Sequence, residues 1–169
     1  MTTQGLRDLT VLIVEDNEHM RMLLPAILNS VGIRQVVEAV DGTAGFEKLN
    51  TLSPDFILTD LSMKPVNGIE FARMVRRRPD SAKPFIPIIM ISGHAERRFV
   101  EEARDAGITE FLAKPITAKS LLLRIASVVD QPRSFVRCDR YFGPNRRRRT
   151  GKHTGPWRRQ ADRDDIVIQ

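Results

Sequence analysis

The chain has 169 residues, 41% of them hydrophobic, which fits one ordinary domain with a sizeable core plus an appendage better than two domains. Its net charge of +6 is uneven: 16 basic and 17 acidic residues lie up to Gln131, against 11 basic and 4 acidic from Pro132 onward. Cys138 is the only cysteine, so an internal disulfide is excluded, and no segment reaches membrane-spanning length; the expectation is a soluble, cytoplasmic protein.

Residues 1–8 lack the apolar core of a signal peptide and read as an N-terminal extension. "LTVLIV" (Leu9 to Val14) is a continuous apolar run, the pattern of a strand buried on both faces of a parallel sheet. A helix follows from Asn17, with Met20, Leu23, Leu24, Ile27 and Leu28 at helical spacing and Gly32 as its stop. Pro25 lies inside it and predicts a kink or a shortening. The same alternation then repeats. "IRQVVEA" is a strand and "GTAGFEKLNT" a helix; "DFILTD" is a strand and "GIEFARMVRR" a helix. "FIPIIMIS" leads into the helix "AERRFVEEARDAG", and "EFLAK" into the last one, "TAKSLLLRIASVVD". Five β–α units in series predict an α/β fold, a doubly wound five-stranded parallel sheet with helices on both faces. The domain is predicted over residues 9–130. Pro132 cannot continue the last helix, and residues 131–169 are mostly Arg, Gly, Pro, Asn, Thr and Asp. Such a segment buries too little apolar surface to offset its ordering entropy, so disorder is predicted without a ligand. Ile166, Val167 and Ile168 are the exception and fit an edge strand or an anchor in a partner.

In a doubly wound sheet, chemistry gathers at the carboxyl ends of the strands. Glu15 and Asp16 follow the first strand, Asp60 ends the third, Ser92 the fourth and Lys114 the fifth. Singly, each reads as a turn, a cap or a solvated surface group. Jointly, they place three carboxylates, a hydroxyl and an ammonium on one edge. The excess negative charge suits a hard divalent cation such as Mg²⁺. With the metal and Lys114 stabilising charge on transferring oxygens, Asp60 is placed to accept a phosphoryl group and Ser92 to hydrogen-bond it.

The motifs "VLIVEDN", "ILTDLSMKPVNG", "IIMISGH" and "EFLAKPIT" resemble those of CheY-type response-regulator receiver domains, in order and spacing, over roughly Leu9 to Val129. The resemblance implies the sheet order 2-1-3-4-5 and a regulatory phosphoacceptor rather than an enzyme. It implies Asp60 as the phosphoacceptor, Glu15 and Asp16 as the acidic pair holding Mg²⁺ with Asp60, Ser92 as switch hydroxyl, Phe111 as switch aromatic and Lys114 as the invariant lysine. It also implies a cis Lys114–Pro115 bond, a histidine kinase as phosphodonor, and an output face formed by the fourth predicted helix, the fifth strand and the last helix. The sequence departs from the common pattern at Lys64, which separates Met63 from Pro65, at Gly93, where Ala is frequent, and at Phe111, which lacks the hydroxyl of the commoner Tyr.

The last segment carries the charge. "NRRRR" and "PWRRQADRDD" hold eleven groups that suit one ligand: guanidinium forks for phosphates and guanine edges, Trp157 for stacking, and carboxylates for guanine N1 and N2. Cyclic di-GMP has two guanines and two phosphates. Arg159-x-x-Asp162 resembles the inhibitory site of diguanylate cyclases, and Arg159-x-x-x-Arg163 the arginine pattern of PilZ domains. A receiver followed by such a segment resembles the Cle class of CheY-like c-di-GMP effectors. That likeness implies c-di-GMP binding by Arg146, Arg147, Arg148, Arg149, Trp157, Arg158, Arg159, Asp162 and Arg163. It also implies interaction with the flagellar motor switch protein, at the motor or cell pole, to tune motility. Two other readings stand beside it: a receiver with a nucleic-acid-binding basic segment, and a plain phosphate-accepting CheY-type regulator with an inert one.

Overall fold

A computed structural model describes residues 3–138, 141–145 and 166–168. Five parallel strands, β1 (Thr10–Val14), β2 (Gln35–Ala39), β3 (Phe56–Asp60), β4 (Ile88–Ser92) and β5 (Glu110–Ala113), form one sheet in the order β2-β1-β3-β4-β5. Five helices alternate with them: α2 (Glu18–Ser30), α3 (Gly42–Thr51), α4 (Gly68–Arg77), α5 (Arg97–Asp105) and α6 (Ala118–Val129). This is the fold the alternation predicts. Asp41 starts α3 by accepting from the Thr43 and Ala44 amides. Asn67 and Glu70 start α4 as a reciprocal capping box. Helix α2 runs through Pro25 to Ser30, without the predicted shortening.

Period-two alternation sorts the strand residues between two cores. Leu12, Val14, Ile57, Ile88 and Met90 face α3, α4 and α5, whereas Val11, Ile13, Leu58, Ile89 and Ile91 face α2 and α6. All five residues of β3 and of β4 are buried, as expected for strands covered on both sides. The N-terminal extension belongs to this body: α1 (Thr3–Arg7) places Leu6 in the core on the α2–α6 side.

The prediction of disorder is corrected where residues 131–169 are described as strands. Phe135–Cys138 (β6), Tyr141–Pro144 (β7) and Ile166–Ile168 (β8) form a second, antiparallel sheet in the order β7-β6-β8. The expected edge strand at Ile166–Ile168 is thus present as β8. The physical reason for the order is local burial: Phe135, Val136, Tyr141 and Phe142 are all buried, although the segment around them is polar. Phe135 and Phe142 each meet Phe85 edge-on, with ring centroids 5.3 Å apart. Phe85 precedes β4, so this sheet docks at the opposite pole from the carboxyl ends of the strands. Residues 146–165, with Arg146, Arg147, Arg148, Arg149, Trp157, Arg158, Arg159, Asp162 and Arg163, lie outside the described residues. Among the described residues no helix is long and apolar enough to cross a membrane.

Candidate phosphoacceptor site

Strand β3 ends on Asp60, and the parallel register pairs Asp60 with Ile91 of β4 and Thr59 with Val14 of β1, so that Glu15 and Ser92, the next residues along the chain, come to the same edge. Asp60 is buried. Its Oδ2 accepts from the Ser62 amide at 2.6 Å, and its Oδ1 accepts from Lys114 Nζ, also at 2.6 Å. Both oxygens are therefore held, one by the turn that follows the strand and one by the cation from β5. Lys114 itself is tied to the sheet, since its amide donates to the Ser92 carbonyl at 2.8 Å.

Glu15 is almost fully buried at 2% exposure. Its Oε1 accepts from the Asn17 amide at 3.2 Å. Its Oε2 lies 3.7 Å from Lys114 Nζ, beyond hydrogen-bonding distance, and has no hydrogen-bond partner among the described residues. Burial first, then the neighbouring Asp60, pushes the Glu15 carboxyl above its ordinary value; Lys114 opposes this only in part. Asp16 is exposed and its Oδ2 accepts from the Lys64 amide at 3.3 Å. Arg21 braces the loop by donating to the Glu15 and Asp16 carbonyls at 2.9 and 2.8 Å.

The structure thus brings Glu15, Asp60 and Lys114 together, with Ser92 on the adjoining strand end and Asp16 at the rim. Ser92 is buried, and its hydroxyl oxygen accepts from the His94 amide at 2.9 Å. Phe111 is half-buried on β5, three residues before Lys114 and paired in register with Met90. The Lys114–Pro115 bond is cis, as is Lys64–Pro65.

Among the described residues no three acidic, His or Cys side chains already converge as a metal cage. The chemistry of the site nonetheless fits a hard cation. Two buried carboxylates face one half-exposed lysine, and the unpartnered Glu15 Oε2 is the kind of atom a divalent ion satisfies.

Sequence reasoning missed Gly68. A β-carbon there would lie 2.1 Å from the Asp60 carbonyl oxygen, so only glycine lets α4 start this close to the site. The signal was available in "PVNG", which follows the acidic strand end and opens a capped helix. Arg76 was also missed: it lies in "RRRP", which reads as a solvated basic cluster, yet it is buried.

Residues 11–126 match the model of the response regulator receiver domain. The chain is 32% identical over 121 residues to the chemotaxis protein CheY of Pseudomonas aeruginosa, covering 72% of this chain and 96% of that protein. It is 29% identical over 125 residues to the chemotaxis protein CheY-3 of Vibrio cholerae, covering 74% and 95%. Among solved structures, the chemotaxis protein CheY4 of Vibrio cholerae superposes with a TM-score of 0.65 at 28% identity, over 72% of this chain and 98% of that one.

Proposed function

Because the chain belongs to the response-regulator receiver family, we propose that it is a cytoplasmic CheY-like regulator that accepts a phosphoryl group on Asp60 and uses its arginine-rich C-terminal segment as a c-di-GMP sensor. The observation that carries the first half is the grip of Lys114 on Asp60 at 2.6 Å beside the unpartnered Glu15 oxygen. In the reaction, a carboxylate oxygen of Asp60 attacks phosphorus. The P–N bond to the donor histidine breaks as the O–P bond forms, and the histidine nitrogen keeps the electron pair. Lys114 then moves from the carboxylate to an oxygen of the phosphoryl group. Glu15 and Asp16, with Asp60, would hold Mg²⁺, which when bound neutralises charge on the transferring oxygens. Ser92 turns its hydroxyl to the new group, and Phe111 follows it inward.

The second half is supported by residue chemistry: arginine preference, Trp157 beside Arg158 and Arg159, and trailing aspartates, which together suit a guanine dinucleotide better than a long polyanion. The partner of the output face in this reading is the flagellar motor switch protein, and the phosphodonor a sensor histidine kinase. Replacing Asp60→Asn tests the phosphoacceptor. Incubation with Mg²⁺ and a small phosphodonor should add one phosphoryl group to the wild type, seen by intact-mass spectrometry, and none to the variant. Equal labelling of the two would assign the acceptor elsewhere.

A further inference from the structure

The C-terminal sheet rests on the receiver through an unusual contact. Gly143 of β7 is so closely packed that a β-carbon there would lie 2.6 Å from the Tyr141 hydroxyl and 2.8 Å from the Gly107 α-carbon. Around this point Phe85, Phe135 and Phe142 pack together, and Arg133 donates to the buried Glu110 of β5 at 2.8 Å. These contacts hold the sheet down. One group opposes them. Arg76 is buried beneath it, with its guanidinium 5.0 Å from the Phe135 ring centroid. It donates to the Gly107 and Pro84 carbonyls, but it faces no carboxylate and its Nη2 has no partner among the described residues. Burial pushes its pKa down to about 9. Lifting the sheet would return this cation to water but would also take away the Phe135 ring and the favourable electrostatics of Tyr141, so docking balances aromatic packing and these two contacts against the cost of a buried charge.

The docked sheet also reaches the switch. A cavity of about 140 Å³ lies between α5, β5 and β7, lined by Val100, Ala103, Phe111, Tyr141 and Pro144 among others. Phe111 therefore stands between the phosphoacceptor pole and the sheet. It lies on β5 beside Glu110, which holds Arg133, and three residues before Lys114, which follows the strand and holds Asp60. Inward movement of Phe111 would enlarge a space already beneath Tyr141 and Pro144, and the sheet would lose support there.

We infer that the C-terminal sheet is a releasable cap on the α5–β5 face, and that phosphorylation of Asp60 loosens it through Phe111. This inference rests on the phosphoacceptor reading of Asp60. A partner that uses this face would then meet the cap first, and the modified protein would expose the face more readily. Coupling is reciprocal, so loosening the cap should also favour the modified state.

Amide hydrogen exchange of the full chain, followed by mass spectrometry, reads the cap directly in peptides over 133–145. Its strands are only three or four residues long, shorter than the usual length of about five or six, and detachment exposes Phe135 and Phe142 to water, so release should remove its protection. Adding Mg²⁺ and the phosphoryl mimic beryllofluoride should speed exchange there about tenfold, within the usual range for coupling between sites. Phe111→Ala should abolish that response. Gly143→Val should exchange fast without any addition, while peptides from β1, β3 and β4 stay protected and show that the receiver is folded. Fluorine NMR reports whether beryllofluoride occupies Asp60. Occupancy with unchanged exchange over 133–145 overturns the cap and leaves the phosphoacceptor standing; no occupancy overturns both. Slow exchange in Gly143→Val would show that the Gly143–Gly107 contact does not hold the sheet.

Discussion

Glu15→Gln should stabilise the metal-free protein at neutral pH and remove its response to Mg²⁺. In the wild type, a carboxylate at 2% exposure holds one oxygen without a hydrogen-bond partner and sits beside the Asp60 carboxylate. An unsatisfied buried polar group costs about 1–3 kcal/mol. Lys114 Nζ at 3.7 Å offsets part of that here, so the low end applies, about 1 kcal/mol, or about 2–4 °C in Tm for a chain of this size. The glutamine keeps an oxygen for the Asn17 amide and still buries a polar group in place of Oε2, so its gain comes from removing the charge beside Asp60.

The pH dependence has a definite sign. The folded-state pKa of Glu15 is raised above its ordinary 4.5, so the folded protein binds more protons than the unfolded chain just above that value. Wild-type stability therefore falls as pH rises through the raised pKa, and the advantage of Glu15→Gln appears over the same window and vanishes below it. Saturating metal reverses the order. A ligand at ten times its Kd stabilises the wild type by about 1.4 kcal/mol, and the variant, lacking a ligand oxygen charge, gains much less. Thermal melts by circular dichroism at pH 5 and pH 7, with and without Mg²⁺, give all four values. A variant less stable than wild type at pH 7 without metal, or one that gains equally from Mg²⁺, would refute the reasoning.

Two other substitutions probe the same site. Gly68→Ala forces a β-carbon onto the Asp60 carbonyl and should cost at least about 2 kcal/mol; urea unfolding measures it, and a change within error would mean α4 moves freely at its start. Lys114→Met leaves Asp60 and Glu15 buried without their cation and should cost about 3 kcal/mol at pH 7. That loss should shrink as pH falls through the raised Glu15 pKa, and a loss independent of pH would point to packing instead.

Much of this architecture is written in local pattern. The apolar runs at Val11–Val14, Phe56–Leu58 and Ile88–Ile91 become buried strands, and the helices 42–51 and 68–77 keep their predicted bounds because Asp41 and Asn67 cap them. The candidate site was legible for the same reason: parallel strands carry their terminal residues to one edge. What local pattern hid depends on contacts distant in sequence. Gly68 matters through a carbonyl eight residues earlier, and Arg76 is buried among Gly107, Pro84 and Phe135, all distant in sequence or in another element. The second sheet was obscured by averaging. Phe135, Val136, Tyr141 and Phe142 sit in a segment whose mean is polar and basic, although two residues between "FVRC" and "YFGP" is hairpin spacing. Composition over residues 131–169 diluted a four-residue apolar cluster strong enough to dock.

The central claim joins a phosphoacceptor pole to a c-di-GMP-sensing segment, and a backbone NMR titration of the full chain with c-di-GMP tests it most directly. The account predicts resonance shifts over residues 146–165, together with Phe111 and β7, saturating by high micromolar ligand. Shifts absent at that concentration, or matched by an equal amount of a guanine-free polyanion, would contradict it.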